Sequence, residues 1–387
     1  MLTQTLALFL DAYRELNAKK LFWITLLLSG LVVLALGALG IDDKSVSIFG
    51  WRQNWLPLNT SMMSREIFYT LIFSNLGIGL WLSWIATILA LVSTAGIVPD
   101  LISGGSIETV LSKPISRLRL LLTKLGTGLL FVALQVGVFS LGCFLVFGIR
   151  AGVWNFGLFL AIPIVVLFYS YLFSVCALLG MVTRSTVAAL LLTVLLWGAL
   201  FLVNMGDGIM LMLTENQSLV VEKREARIDL MQANTVQLLQ TQEHGSVEAA
   251  IEAGYAPSDD EVVAYNPFLE GQFERLESDR ETLGQLQFWT RLTVGVKTAL
   301  PKTGETIDLL ERHLVDPEAL QMGEPDPEPA FDLEDPNQDI VVDDDELSER
   351  INERLRGRSI WWIVGTSLIF EFVMVGITCL LFVRRDF

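Results

Sequence analysis

Apolar residues are gathered into long blocks along this chain, and polar stretches of very unequal length separate the blocks. A helix needs about 20 mostly apolar residues to cross a membrane, and six blocks are long enough. The six predicted spans are Leu21–Ile41, Ile67–Val98, Leu120–Gly148, Phe156–Met181, Thr186–Asn204 and Ile360–Val383. The pattern therefore predicts an all-α membrane protein with six transmembrane helices.

The polar stretches predict how the rest of the chain is organised. Residues 1–20 are expected to form an amphipathic helix on the cytoplasmic membrane surface, and residues 21–205 hold the first five spans. Residues 206–314 form a large insert, expected to be helical and to lie outside the cytoplasm. Residues 315–345 are rich in Asp, Glu and Pro, which predicts an acidic disordered tether. Residues 346–387 hold a last amphipathic helix, the sixth span and a cytoplasmic tail.

Local signals predict helices within the insert, and strand signals are nearly absent. Leu219–Thr241 has the apolar spacing of a helix, and Ser246 and Ser258 are candidate N-caps of shorter helices. A second apolar stripe ends at Pro301 and consists of Leu286, Trp289, Leu292, Val296 and Leu300. This stripe either packs within a small domain or lies on the outer membrane leaflet, and the pattern favours neither.

A polar island at residues 99–119 separates the second span from the third. Ile107, Val110 and Leu111 fall at helical spacing, and Lys113-Pro114 ends the short helix that they predict. Ser116 is a suitable N-cap for the helix of the third span. Arg117 then lies in the first turn, where a cation opposes the helix dipole. The positive-inside rule accounts for such a cation if the island faces the cytoplasm.

The order of residues in the island resembles a known family. The run from Glu108 through Lys113, Pro114 and Arg117, followed by Lys124-Leu-Gly126, is similar to the signature of type-2 ABC exporter permeases. The nearest resemblance is to the branch named for copper-enzyme maturation, and the Arg-Arg-Asp near the C-terminus also recurs in this family.

The resemblance implies that the island is a coupling helix, which docks on a separate ATPase subunit that binds the ATP. It also implies pairing with a second permease copy or a homologous permease. The ATPase-coupling residues would then be Ile107, Glu108, Val110, Leu111, Lys113, Pro114 and Arg117. The large insert departs from the compact pattern of the family.

The positive charges of the short loops predict the orientation of the spans. Leaving the long insert aside, ten Lys and Arg residues fall on one side of the six spans and five on the other. Because the cytoplasmic side carries the excess, both termini are expected to be cytoplasmic and the protein to lie in the cell's cytoplasmic membrane. The surrounding lipid is then a further partner.

Several kinds of chemistry lack their sequence patterns. No Gly-x-x-x-x-Gly-Lys-Ser/Thr run occurs, so the chain has no ATP-binding loop of its own, and no catalytic motif is found. The three cysteines and two histidines form no metal-ligand cluster, so no metal and no cofactor are expected. The net charge of −16 argues against nucleic acid as a partner.

Glu371 is the one acidic residue that lies deep in a predicted span. Such a residue either lines a polar translocation path or is held inside the bundle by a hydrogen bond, for which Asn75 and Gln135 are candidate partners. Two functions remain open at this point. The chain is an exporter permease, or it is a membrane anchor that presents an acidic helical domain for assembly without transport.

Overall fold

The computed structural model describes residues 20–41, 45–48, 51–53, 63–103, 116–314 and 339–384. Six of its helical segments are long and apolar enough to cross a membrane, which agrees with the number of predicted spans. They are Lys20–Ala38, Arg65–Ile102, Arg117–Arg150, Phe156–Thr183, Thr186–His244 and Trp361–Arg384.

The described residues contain thirteen α-helices and three short strands. The helices are α1 (Lys20–Ala38), α2 (Arg65–Ile72), α3 (Thr87–Thr94), α4 (Ile97–Ser103), α5 (Arg117–Ala151), α6 (Ala161–Thr183), α7 (Thr186–His244), α8 (Val247–Glu252), α9 (Asp259–Tyr265), α10 (Phe268–Ala299), α11 (Thr303–Leu314), α12 (Asp344–Arg356) and α13 (Thr366–Arg384). A 3₁₀ helix at Phe156–Leu160 precedes α6, and π-helical turns occur at Phe73–Ala86 and Trp361–Gly365.

The first and third spans pack side by side in parallel. The methyl groups of Val33 lie 3.2 Å from the position that a Cβ on Gly142 would occupy. A methyl group of Val146 lies in the same way over Gly37, where it would overlap an added Cβ. The ring centroids of Phe22 and Phe131 are 5.1 Å apart, in the same register as the glycine contacts. Each glycine thus receives a valine from the facing helix, which is the small-residue packing typical of membrane helices.

Two pairs of spans that are neighbours in sequence run in opposite directions. Tyr69 and Phe73 of the second span contact Phe147 and Phe139 of the third span, so these two spans are antiparallel. The fourth and fifth spans are antiparallel as well, because the turn between them is short. This alternation is the arrangement expected for six consecutive crossings.

The predicted end of the first span needs correction. The helix ends at Ala38 rather than Ile41, because Leu39–Ile41 forms β1 of a small antiparallel sheet with β2 (Val46–Ile48) and β3 (Trp51–Gln53). The prediction of a span up to Ile41 therefore missed this sheet. In the second span the backbone is π-helical from Phe73 to Ala86.

The described residues divide into two compact units. The span unit contains the residues up to Leu202, residues 297–314 and the residues from Ser359 onward. The insert unit contains Val203–Val296 and residues 339–358. The sequence places its divisions at 205/206 and 314/315. The first is close to the start of the insert unit, whereas α11 belongs to the span unit.

The insert unit is built on α7 and α10, which run antiparallel. Its apolar core consists of Val221, Ile228, Val262, Leu269 and Leu276. The predicted helix at Leu219–Thr241 has no beginning of its own, because α7 continues from the fifth span to His244. The predicted caps are confirmed: the hydroxyl of Ser246 accepts from the amide of Ala249, and Ser258 forms a capping box with Glu261.

Helix α12 and Arg358, two residues beyond its end, are held along α7 by four ion pairs. Asp343 caps the start of α12, and the pairs are Lys223–Glu346, Arg350–Glu222, Arg354–Glu215 and Arg358–Asp207. The side chain of Asp207 is 3% exposed and that of Arg358 is 16% exposed, so this pair is the most buried of the four. The basic end of α12 thus meets acids of α7.

Three predicted segments lie outside the described residues. They are the amphipathic helix at 1–19, most of the acidic tether at 315–338 and the island at 104–115. The predictions for these segments stay predictions.

Candidate functional site

Most of the predicted coupling residues lie outside the part of the chain that the structure describes. These are Ile107, Glu108, Val110, Leu111, Lys113 and Pro114. Arg117 is described and is the first residue of α5, after the N-cap Ser116, whose hydroxyl accepts from the amide of Arg119 at 3.4 Å. The N-cap prediction is therefore confirmed, and α5 begins directly behind the island.

Glu371 has a partner that the sequence did not indicate. The hydroxyl of Ser170 on α6 lies 2.8 Å from the carboxyl group of Glu371 on α13. The same hydroxyl is 2.8 Å from the carbonyl oxygen of Leu167. A hydroxyl has a single hydrogen, so Ser170 donates to only one of these acceptors at a time. The carboxyl group is half-buried between the two helices.

The structure does not bring Glu371 together with the other two path candidates. Asn75 is exposed on the second span, and its amide donates to the carbonyl of Leu71 at 3.1 Å. Gln135 is buried at 3% exposure, and within the described part of the chain its amide atoms reach no hydrogen-bond partner. Neither Asn75 nor Gln135 is therefore the hydrogen-bond partner of Glu371 in the part of the chain that the structure describes.

Helix α11 packs into the span unit against the fourth span and against the π-helical part of the second. Leu309 and Leu310 are buried there, and so are the polar residues Thr303, Glu305 and Thr306. Burial of a charged side chain is costly unless the charge is paired. Glu305 meets this condition through an ion pair with Lys297, and both side chains are about 5% exposed or less.

Lys302 is buried completely at the end of α10. Its ammonium group donates to the backbone carbonyls of Lys297, Thr298 and Leu300 at 3.2 to 3.4 Å, and also to the hydroxyl of Thr366. It lies 4.4 Å from the ring centroid of Trp362, a distance suited to a cation–π contact. Burial lowers the pKa of Lys302 to about 8, and nearby Glu305 acts in the opposite direction.

The carbonyls around Lys302 explain why a cation is stable in this place. The last carbonyls of a helix lack partners within the helix and carry the negative end of its dipole. Lys302 folds back from beyond the C-terminus of α10 and satisfies carbonyls of its last turn. Its own backbone amide donates to the hydroxyl of Ser367 at 2.9 Å, which joins this corner to α13.

Polar groups continue from Lys302 toward Glu371 along the contact between α6 and α13. We call this set the polar seam and define it as Lys302, Thr306, Tyr171, Ser367, Ser170 and Glu371. Tyr171 is fully buried, and its hydroxyl faces Thr306 and Ser367 but has no hydrogen-bond partner among the described residues. Ser367 and Glu371 are four residues apart and share a face of α13. The hydroxyl groups of the polar seam and the carboxyl group of Glu371 can bind a polar group or hold a proton.

The sequence contained one usable signal for the polar seam. Tyr169-Ser170-Tyr171 is a polar run inside an otherwise apolar block. Nothing in the sequence indicated that Lys302 and Glu305, a hundred residues into the insert, would be buried in the span unit. Among the described residues, no group of three or more His, Cys, Asp or Glu side chains could hold a metal ion.

The fold and the site together define a class. Six apolar helices, together with paired charges and a polar seam buried in the span unit, are compatible with a multi-pass helical membrane protein. Comparison of the chain with known protein families, with curated proteins and with solved structures found no match.

Proposed function

We propose that this chain is the transmembrane permease subunit of an ABC exporter. A separate ATPase subunit would hydrolyse ATP, and the permease would move a substrate across the cytoplasmic membrane. The observation that carries the proposal is the island, in which Glu108, Lys113, Pro114 and Arg117 stand in the order of the type-2 exporter signature. The absence of an ATP-binding loop from the sequence supports a partner that supplies the energy.

Two features of the fold support a coupling role for the island. It lies between the second and third spans, which pack against each other in opposite directions. Helix α5 begins at Arg117 and continues without a break to Ala151, so a displacement of the island would act on the whole third span. Closure of the ATPase dimer would thus move the island and change access between the spans.

In this proposal both termini are cytoplasmic, and a second copy or a homologous permease completes the translocation unit. The polar seam is the candidate path or gate, with Glu371 as its acidic group. Glu371→Gln keeps the hydrogen-bonding shape and removes the charge, so a change in transport without loss of folding would link the seam to the path.

The test of coupling is Leu111→Asp, with Ser112→Asp as the matched control. At helical spacing, Leu111 lies on the apolar face with Ile107 and Val110, whereas Ser112 lies on the polar face. A charge placed in a desolvated contact removes its binding energy, so Leu111→Asp should abolish ATPase pull-down. Ser112→Asp should retain it, and both variants should insert into the membrane. Full ATPase binding by Leu111→Asp would contradict the proposal.

The insert unit keeps a second function under consideration. This unit has its own apolar core, and four ion pairs join its helix α7 to residues 346–358. It is therefore a separate compact unit, suited to an assembly platform that a membrane anchor presents. Purification of the full chain from its native membrane separates the two functions. Co-purification of a P-loop ATPase favours the exporter, and co-purification of other proteins alone favours the platform.

A further inference from the structure

The last third of α10 carries an exposed apolar surface. We call it the α10 apolar face and define it as Phe288, Trp289, Leu292 and Val296. These side chains are 62%, 53%, 47% and 50% exposed. Their spacing places them on one side of the helix. A cluster of large apolar side chains with this exposure is unusual on a water-soluble surface, and it indicates an interaction site.

The register between α10 and α7 fixes the level of this face. Thr214 and Thr290 are joined by a hydrogen bond of 2.8 Å between their hydroxyls. Farther along the same antiparallel pair, Arg280 and Glu225 form an ion pair at 2.7 Å. Residues of α10 after Thr290 therefore lie beside residues of α7 before Thr214. The α10 apolar face is therefore level with residues 208–216 of α7, in the C-terminal part of the segment from residue 205 to residue 216.

That segment directly follows the predicted fifth span on α7 and is also apolar. On its surface Met205, Ile209, Met212 and Leu213 are exposed to between 43% and 54%. The sequence has no charged residue between Arg184 and Asp207. The first exposed charge beyond this end of the span is Glu222, because the acids before it are buried.

The two acids within the segment do not interrupt its apolar surface. Asp207 is buried in its ion pair with Arg358, and Glu215 in its ion pair with Arg354. Helix α10 also changes from an acidic to an uncharged or basic sequence before this level. It has five acids between Phe268 and Glu281, and the sequence then has none until Glu305.

We propose that the α10 apolar face is immersed in the membrane leaflet in which the fifth span ends. The occupant of the face is phospholipid, because the face continues the lipid-facing surface of α7 at the same level. Trp289 is suited to the depth of the headgroups, where tryptophan is enriched. Exposed Arg291, at the border of the face, can extend its guanidinium to lipid phosphates.

The inference needs only that the fifth span crosses the membrane, and it is independent of the proposed transport activity. Its test places a single cysteine at Leu292 in full-length protein whose native Cys143, Cys176 and Cys379 are replaced by alanine. The matched control is Glu274→Cys. Glu274 is exposed and precedes Leu292 by five full helical turns, so it lies on the same side of α10, about 27 Å away.

Each cysteine is labelled with the fluorophore nitrobenzoxadiazole, and the protein is reconstituted into phosphatidylcholine vesicles. Phospholipids with a nitroxide on the acyl chain then report contact with lipid, and iodide reports contact with water. We expect the label at position 292 to show blue-shifted emission and severalfold stronger quenching by the nitroxide lipid than the label at position 274. Iodide should show the opposite order.

Two results would overturn the inference. Equal iodide quenching and equal emission at both positions would show that the face lies in water. Protection of position 292 from both quenchers would show that protein covers the face, for example a second copy of this chain. A variant that does not elute as monodisperse protein before reconstitution is replaced by Trp289→Cys, with Gly271→Cys as its five-turn control.

Discussion

At the scale of single residues, the ion pair between Lys297 and Glu305 has the least exposed side chains of the ion pairs that the structure describes, at 5% and 4%. The gain from such a pair is offset by the cost of removing both charges from water. Removal of one partner is different in kind, because it leaves the other charge buried without its counter-ion. Loss of either partner alone is therefore expected to destabilise the protein more than loss of both.

The first prediction compares single and double replacements of this pair. Lys297→Met or Glu305→Met alone should lower the free energy of unfolding by about 3–5 kcal/mol. The combination of Lys297→Met with Glu305→Met should cost clearly less than the sum of the single changes. Thermal unfolding of purified protein in detergent measures this. Arg280→Met breaks an exposed pair with Glu225 and should cost no more than about 1 kcal/mol.

The second prediction concerns Lys302 and pH. Its pKa in the folded protein is lowered to about 8 from an ordinary value of 10.5. Above pH 8 the folded protein loses this proton while the unfolded chain still holds it, so stability gains a contribution as the pH rises toward 10.5. Below pH 8 both states are protonated and this contribution is constant. The wild type should therefore gain stability relative to Lys302→Met across that window.

Unfolding midpoints of both proteins, measured at several pH values, test this prediction. Other groups that titrate in the same range affect both proteins alike, so the difference between the two midpoints isolates Lys302. A difference that stays constant from pH 8 to 10.5 would mean that Lys302 titrates at its ordinary pKa.

The sequence identified Glu371 as the acid inside a span but not its partner. Hydropathy gives the depth of a residue in a helix, whereas the partner depends on how two helices are rotated against each other. Ser170 and Glu371 are about 200 positions apart, and no periodicity links them. Lys302 was missed for a related reason, since its charge is satisfied by backbone carbonyls, which leave no trace in the side-chain pattern.

At the scale of elements, reciprocal glycine and valine contacts hold the first and third spans together. The third prediction replaces Gly37, where an added Cβ would overlap a methyl group of Val146. Gly37→Leu should lower stability by about 1–3 kcal/mol through overpacking. Gly30→Leu is the control on the same helix, because an added Cβ there meets nothing within 4 Å.

The measurement for this third prediction is the fraction of each variant that stays monodisperse in detergent after heating. If Gly37→Leu tolerates heat as well as Gly30→Leu does, then the two spans are not packed at this glycine.

The existence of the long helices followed from the sequence, and their ends did not. The fifth span was expected to end at Asn204, where polar residues begin, yet α7 continues to His244. Gly206 and Gly208 weaken a helix without ending one, and no proline follows them before Pro257. Here packing in the insert unit overrides the change in polarity. The strands β1 to β3 are three residues each, too short for an alternating pattern to be visible.

At the scale of the whole molecule, charge explains why the sequence assigned α11 to the insert. Residues 297–314 contain Lys297, Lys302 and Glu305, and a hydropathy average counts each charge as a reason to stay in water. In the structure Lys297 and Glu305 form an ion pair, and Lys302 donates hydrogen bonds to helix carbonyls. The segment can therefore be buried within the span unit. Pairing in three dimensions is the information that a linear average lacks.

The fourth prediction concerns the orientation of the whole chain. The second and third spans are antiparallel, as six consecutive crossings require, and the excess of ten positive charges over five predicts the cytoplasmic side. In a background without native cysteines, a cysteine that replaces Gln338 in the acidic tether should react with a membrane-impermeant thiol reagent in intact cells.

A cysteine that replaces Ser106 in the island should react with the same reagent only after the cells are lysed. Both positions lie outside the described residues, so the prediction depends on the order of the spans rather than on local structure. An even number of crossings between the two positions would give both the same reactivity, whereas the six-span order places three between them. Labelling of Ser106→Cys and protection of Gln338→Cys in intact cells would invert the orientation. It would also remove the ATPase-facing island on which the proposed function depends.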